Sequence, residues 1–532
     1  MLSPGVKSTE KDLTYNTQSI TTNASGMVGL FRWGPVNEVV SITTNESELV
    51  RRFGQPDNTT AVSFLSAANY LKYASPLLVV RAADETTALN AAPATTGTPA
   101  FIPNLDSYDN AALDGTSFIG RYPGDLGNSI SLSAADDTAF DTWAYADEFD
   151  YAPSAGEFNL VVVDEDGMIT GNAGTVLERY SLMQKTAGAT KPDGTAAYIK
   201  TVIKDQSNWV LVGDVTAIDF AVVGSEGIYE VSLDGGVDGN DSTTADYQTA
   251  ASMFDTETVE LTRMFGAGMP ATSFTGLVDI AVGRQDMVVF GAPTLSDVYN
   301  TVDAETNVVE YFTTTVNKNT SYAFYVDNWK LVYDKYNDHN VWIPCDSDAA
   351  ALHARTFAQN EPWFSPAGLN RGQLKNVIRL AWNPNRRQRD VLYKNSINSI
   401  VAFPGEGTVL FGDKTALRRP SAFSRINVRT LLIVLRKAIS SAAKYQLFEL
   451  NDIITRGVFR NGTDQYLGNV QARRGLYDYR VKCDETNNTA QVIDANEFVG
   501  DIYLKPARSI NFIRLNFIAV ASGVDFEEVE GA

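Results

Sequence analysis

The sequence predicts an α/β, in part α+β, multidomain protein: a discontinuous, C-terminal α/β core domain, a mostly β, outward-facing insertion, and extended N- and C-terminal arms. Three observations predict it. Helical and strand periodicities alternate before about residue 85 and return after 246. The stretch between carries short β-like runs divided by acidic turns. The first twenty residues are polar and turn-rich, and the last apolar run alternates with period 2. A chain of 532 residues has room for about three or four domains.

Residues 1–20, with Pro4-Gly5 and scattered Thr, Ser and Asn, read as an extended arm. Residues 21–85 read as the first part of the core. A strand, a turn at Gly34-Pro35 and a second strand span 26–40. A capped helix over 45–53 runs into Gly54-Gln55-Pro56. In 61–73, Phe64, Leu65, Ala68 and Leu71 share one helical face, and 77–80 is a buried strand.

Residues 86–245 read as the inserted outer part. Its β-like runs are 158–163, 198–203, 209–212 and 228–233, with a turn at Asp164-Glu165-Asp166-Gly167. Residues 246–509 read as the main core. A helix covers 247–254, then 277–282 and 287–290 lead through a strand to Ala292-Pro293. The longest helix is expected over 428–450, with Leu431, Leu432, Leu435, Ala438, Ile439, Ala442 and Leu447 as its stripe. Residues 510–532 read as a linking strand, 510–521, and an acidic tail. Ile513, Leu515, Phe517 and Ala519 share one face of that strand, with Phe512, Ile518 and Val520 on the other.

The net charge is −21, which opposes general nucleic-acid binding. It is unevenly spread: residues 351–440 hold 15 Lys and Arg against 4 Asp and Glu, a balance of +11, leaving −32 for the rest. A basic block in an acidic chain attracts copies of itself or an acidic partner; a solvated basic face is the plainer alternative. The start MLSPGVKSTEK lacks the basic and apolar regions of a signal peptide, and no apolar run is long enough to span a bilayer, so no membrane insertion is expected. Two distant cysteines, Cys345 and Cys483, imply neither a disulfide framework nor a zinc site and fit a reducing compartment such as bacterial cytoplasm.

Enzyme signals are weak. His339, beside Asp338, and His353 lack a convincing nucleophile nearby. Residues 407–415, GTVLFGDKT, miss the phosphate-loop spacing because Asp413 stands where the lysine is needed. Residues 164–167 lack the later ligands of a calcium loop, and Asp234-Gly235-Gly236-Val237-Asp238-Gly239 reads as a tight turn. No catalytic residue, cofactor site or metal site is expected.

Several motifs, in order, resemble the tail sheath family of contractile bacteriophages. They are Leu2-Ser3-Pro4-Gly5-Val6, Gly29-Leu30-Phe31-Arg32-Trp33-Gly34-Pro35-Val36, and Phe53-Gly54-Gln55-Pro56. Then come Tyr122-Pro123-Gly124 with Gly127-Asn128, Gly235-Gly236-Val237-Asp238-Gly239, and Tyr333-Asp334-Lys335-Tyr336-Asn337-Asp338. Glu361-Pro362-Trp363-Phe364-Ser365-Pro366, Phe411-Gly412-Asp413-Lys414-Thr415, Arg473-Arg474-Gly475-Leu476-Tyr477-Asp478 and Lys505-Pro506-Ala507-Arg508-Ser509 complete the set.

The resemblance implies a structural subunit that is not an enzyme. It implies hexameric rings of this chain stacked as a helix around a tail tube protein, with baseplate and tail terminator proteins as further partners. Such a sheath belongs to the virion tail, is assembled in the host bacterial cytoplasm, and contracts to drive the tube through the host envelope. Arms would pair between subunits, with Val6, Ile513, Leu515, Phe517 and Ala519 as the pairing residues. Charged contacts to neighbours or the tube are expected among Lys375, Arg379, Arg386, Arg387, Arg389, Arg436 and Lys437. A sheath of a related contractile injection system and, further off, a cytoplasmic α/β enzyme are the competing readings.

Overall fold

The computed structural model describes residues 23–221, 226–256 and 258–511. Its centre is an eight-stranded sheet in the order Gly407–Phe411, Ile397–Phe403, Ala323–Val326, Val288–Gly291, Arg263–Phe265, Ser25–Gly29, Leu77–Arg81, Val40–Ile42. The six inner strands are parallel, and the edge strands Gly407–Phe411 and Val40–Ile42 are antiparallel. Parallel strands covered on both faces are near-continuous apolar runs, as in Leu77–Arg81 (LLVVR), whose last residue is the exception, and Val288–Gly291 (VVFG).

Period 2 then divides the side chains between two cores. Met27, Val79, Phe265, Phe290 and Phe324 face the helices Ala61–Leu71 and Asp346–Gln359. Val28, Val80, Met264, Val289 and Tyr325 face Thr244–Ser252 and Ala271–Arg284. Helix Glu46–Phe53 begins where predicted, because the Asn45 side chain accepts from the Ser47 and Glu48 amides.

Between the third and fourth strands in chain order lies a five-stranded antiparallel sheet: Ala92–Pro93, Ile228–Asp234, Ile130–Asp136, Phe158–Asp164, Thr175–Met183. A two-stranded sheet, Phe118–Gly120 with Val210–Val212, and the helix Ile199–Gln206 share its core. A further cluster joins the helices Ile426–Lys444 and Ile453–Ala472 to the hairpin Leu476–Lys482/Asp501–Pro506, around Trp363, Leu435 and Leu467.

Several elements differ from the sequence reading. Residues 198–203 are not strand: Ile199, Val202 and Ile203 are buried on one face of a helix, a short apolar run that periodicity alone does not resolve. Residues 277–282 lie inside the helix Ala271–Arg284. The helix expected over 428–450 stops at Lys444, which leaves Leu447 exposed, and the longest helix among the described residues is Ile453–Ala472. Helix Ala61–Leu71 is buried almost all round, including Ser63, Ser66 and Asn69, because Asp346–Gln359 packs beside it on the same face of the sheet and the strand His339–Pro344 packs against it as well. The strand expected at 510–521 lies outside the described residues beyond Asn511, as does the arm over 1–20.

Candidate assembly surfaces

Motifs far apart in sequence converge where the inserted sheet meets the core. Arg81 ends a central strand with no exposure, and its guanidinium donates to the carbonyls of Gly34 (3.0 Å), Pro123 (2.7 Å) and Asp238 (2.9 Å). Arg32 forms a two-pronged ion pair with Asp125, both bonds 3.1 Å. The Asp125 amide donates to Asp238 Oδ1 at 2.6 Å. Asn128 exchanges two bonds with the Gly236 backbone, at 3.0 and 2.7 Å.

Two glycines are required at this seam. A Cβ on Gly124, whose φ is +156°, would lie 2.3 Å from the Arg32 carbonyl oxygen, and one on Gly236 would lie 2.3 Å from that of Gly124. Trp33 crosses the seam and packs on Trp209 (5.5 Å between centroids) and edge-on to Tyr122 (5.8 Å). Burial and the neighbouring Asp125 push Asp238 up to about 7.

A second convergence lies at the other end of the sheet. Asp413, the residue that spoils the phosphate-loop spacing, is buried and paired with Arg425 at 2.9 Å. It also accepts from Ser509 Oγ (2.6 Å) and Asn511 Nδ2 (2.9 Å), so it holds the last described residues on the core. Glu361 pairs with Arg473 (3.0 Å), and the Trp363 indole donates to the Arg473 carbonyl (3.0 Å), which joins two of the quoted motifs. A cleft of about 1090 Å³ opens between these segments, lined by Trp363, Arg386, Arg389, Tyr393, Arg474 and Arg508 among others.

The seven predicted contact cations do not form one patch. Arg387 pairs with Glu305 (3.2 Å) and Lys437 with Glu260 (3.5 Å) inside the subunit. Lys375 lies over Tyr73 and donates to the Lys72 carbonyl; Arg379 lies over Trp342 and Tyr299. Arg389 lies over Phe403 and Phe411, and Arg436 donates to Gln285. Arg389 also donates to the Pro384 carbonyl (3.0 Å), whereas Arg379 and Arg386 have no side-chain hydrogen bond or ion pair among the described residues. The arm residues Val6, Ile513, Leu515, Phe517 and Ala519 lie outside them.

Sequence reasoning missed an exposed apolar tip between the last two long helices. Leu447 is 63% exposed, Leu450 78% and Ile454 72%, and Phe448 is wholly exposed with φ +70°. The signal is present as LFEL followed by II, of which only Leu447 belongs to the expected helix stripe. A group of large exposed apolar residues of this kind is a candidate interaction surface.

The two histidines lie outside these surfaces. His353 is buried between Arg263 Nε (3.1 Å) and Thr430 Oγ1 (2.9 Å), and burial holds its pKa well below the ordinary value. His339 is exposed beside the Asn337 carbonyl. Among the described residues no group of His, Cys, Asp and Glu is arranged to hold a metal ion, and no helix is long and apolar enough to cross a membrane.

Three family models match this chain. The tail sheath protein Gp18 domain III N-terminal region covers residues 25–82, the phage tail sheath protein central domain 240–416, and the phage tail sheath C-terminal domain 418–519. The chain is similar to the tail sheath protein of Salmonella phage ViI, at 34% identity over 630 positions covering 99% of this chain and 98% of that protein. It is similar to that of Enterobacteria phage T4, at 34% over 662 positions covering 100% and 99%. Both alignments exceed 532 positions, so these relatives carry segments with no counterpart here. Sheath tail proteins of Desulfitobacterium hafniense and Listeria innocua share the fold, each at TM-score 0.55 and 13% identity. The first match covers 90% of this chain and 94% of that one, the second 92% and 96%.

Proposed function

The chain belongs to the tail sheath family of contractile phages and is a structural, contractile sheath subunit of the virion tail; from that premise we propose that it polymerises as stacked hexameric rings around a tail tube protein. Baseplate and tail terminator proteins bound the polymer, assembly takes place in the host cytoplasm, and contraction drives the tube through the host envelope. No catalytic step is part of this function.

The observation that carries the reading is the apolar tip over 447–454. An isolated subunit would keep these side chains in water, at about 25 cal/mol for each Å² left uncovered, and a ring or stack covers them. Contraction is then a change between two packings of nearly rigid subunits. The extended lattice is metastable, and added burial between subunits drives the change without a nucleotide. Residues 1–20 and about 510–526 act as arms that complete a sheet in adjacent subunits, with Val6, Ile513, Leu515, Phe517 and Ala519 in the pairing. The domain division at 20, 85, 245 and 509 serves the same reading.

Microscopy and pelleting of the purified protein over a range of salt test the assembly. Tubes or stacked rings are expected, and a strictly monomeric protein in every condition would sink the reading. Removal of residues 1–20 tests the arms: an unchanged melt with lost tubes is expected, and intact tubes would mean that the arm links nothing.

A further inference from the structure

The cleft beside Asp413 has a charge that the subunit does not use. Five arginines line it (Arg371, Arg386, Arg389, Arg474 and Arg508) against two carboxylates, Asp390 and Asp413. Asp413 is already committed to Arg425, Ser509 and Asn511. Arg386, Arg474 and Arg508 are exposed and make no side-chain hydrogen bond or ion pair among the described residues. Arg386 opens the helix Arg386–Lys394, whose first turn has no acidic residue. The positive end of a helix disfavours cations, so arginines placed there without an anion are left for a ligand to neutralise.

Beyond residues 507–511 lies a second cleft, of about 780 Å³, with Lys414, Arg418, Arg419 and Arg425 and no carboxylate in its lining. Two basic hollows thus flank the strap from which the chain leaves the described structure. The rest of the molecule is acidic, since the net charge is −21.

The sequence supplies one segment of matching chemistry. Asp525, Glu527, Glu528 and Glu530 place four carboxylates in six residues, with Phe526 and Val529 between them and no Lys or Arg after Arg514. We propose that the arginine cleft receives residues 525–530 of a second copy of this chain, their carboxylates on Arg386, Arg474 and Arg508 and Phe526 against Trp363, Phe364 and Tyr477.

Chain length argues for the second copy. Asn511 already lies at the cleft mouth, and the alternating run after it, if extended, carries Asp525 about 45 Å away at 3.3 Å per residue. A return to its own cleft would need a reversal inside that run. The inference rests on the sheath reading, because it needs a neighbouring copy. It adds an electrostatic lock beyond the sheet-completing arm, with guanidinium–carboxylate pairs that fix register.

The test uses the full chain with its own tail neutralised (Asp525→Asn, Glu527→Gln, Glu528→Gln, Glu530→Gln) and a labelled, amidated peptide of residues 521–531. Binding that weakens as salt rises is expected, with a loss of about tenfold or more when Arg386, Arg474 and Arg508 are changed to Ala. These side chains are exposed, so circular dichroism of that variant should match wild type. A peptide that fails to bind, or binds equally well after the arginine changes or after its carboxylates become amides, overturns the proposal. In a mixing experiment, the tail-neutralised chain should capture a cleft-substituted chain with an intact tail more strongly than two cleft-substituted chains capture each other. Equal capture places the tail in its own cleft and refutes the exchange. Tubes of wild type without peptide binding would sink this inference alone, whereas peptide binding without any polymer would support the cleft and count against the sheath reading.

Discussion

Arg81→Met is the substitution that most directly asks what holds the inserted sheet to the core. Arg81 has no exposure, and each of its three bonds runs to a different segment: Gly34 before the first helix, Pro123 between the strands Phe118–Gly120 and Ile130–Asp136 of the insertion, and Asp238 in the turn after Ile228–Asp234. A hydrogen bond to a charged group contributes about 1.5–3 kcal/mol, which makes the gross sum about 4.5–9 kcal/mol. Burial opposes it: desolvation lowers the guanidinium pKa from its ordinary value to about 10, which corresponds to a cost of roughly 3 kcal/mol. The surplus is a few kcal/mol. Methionine fills much of the volume but strands three carbonyls, so a loss of about 3–5 kcal/mol is expected. The loss should be local. Hydrogen exchange should accelerate at the amides of Gly124, Asp125 and Gly236, while amides of the central strands stay protected. Exchange at the seam equal to wild type, with an unchanged urea midpoint, would refute the reasoning.

Three further outcomes follow from the same geometry. Asp327 is buried, with one oxygen accepting the Ile400 amide at 2.8 Å and the other without a partner, and burial pushes it up to about 7 from 3.8. The folded state keeps this proton where the unfolded chain has lost it, so the contribution is lost as pH rises between about 4 and about 7, at roughly 1.4 kcal/mol per pH unit. Wild type should therefore lose stability relative to Asp327→Asn between about pH 5 and about pH 7, and a pH-independent difference in urea denaturation would rule this out. Gly236→Ala places a methyl 2.3 Å from a backbone oxygen and should cost about 1–3 kcal/mol in urea denaturation; a neutral effect would mean that the seam yields freely. Charge reversal of Arg386, Arg387 and Arg389 breaks the Arg387–Glu305 pair and the Arg389 contacts to the Pro384 carbonyl, Phe403 and Phe411, all near the surface, so circular dichroism should change little while pelleting falls; normal polymers would make the cluster a solvated face.

The sequence alone determined whatever rests on local pattern. A continuous apolar run marked residues 77–80 as a buried strand, and Asn45 ahead of Glu46–Phe53 marked a helix start. The order of motifs from Leu2 to Ser509 carried the family resemblance that the comparisons show. Local pattern failed where tertiary contact outweighs periodicity. Residues 198–203 are helix because three apolar side chains find the inserted sheet's core, and helix 426–444 ends before Leu447 despite the continuing stripe. Only the tertiary structure decided which charges are spoken for. Lys330 is wholly buried and bound to Asp348 (2.9 Å), Asn69 (2.9 Å) and the Lys375 carbonyl (2.8 Å), partners up to 261 residues away. Arg387 and Lys437 are paired within the subunit, while Arg386 and Arg474, 88 positions apart, share one cleft. Hydrophobic periodicity is a property of neighbours along the chain. An ion pair or an empty cleft is a property of neighbours in space, and those exist only once the strands have found their order.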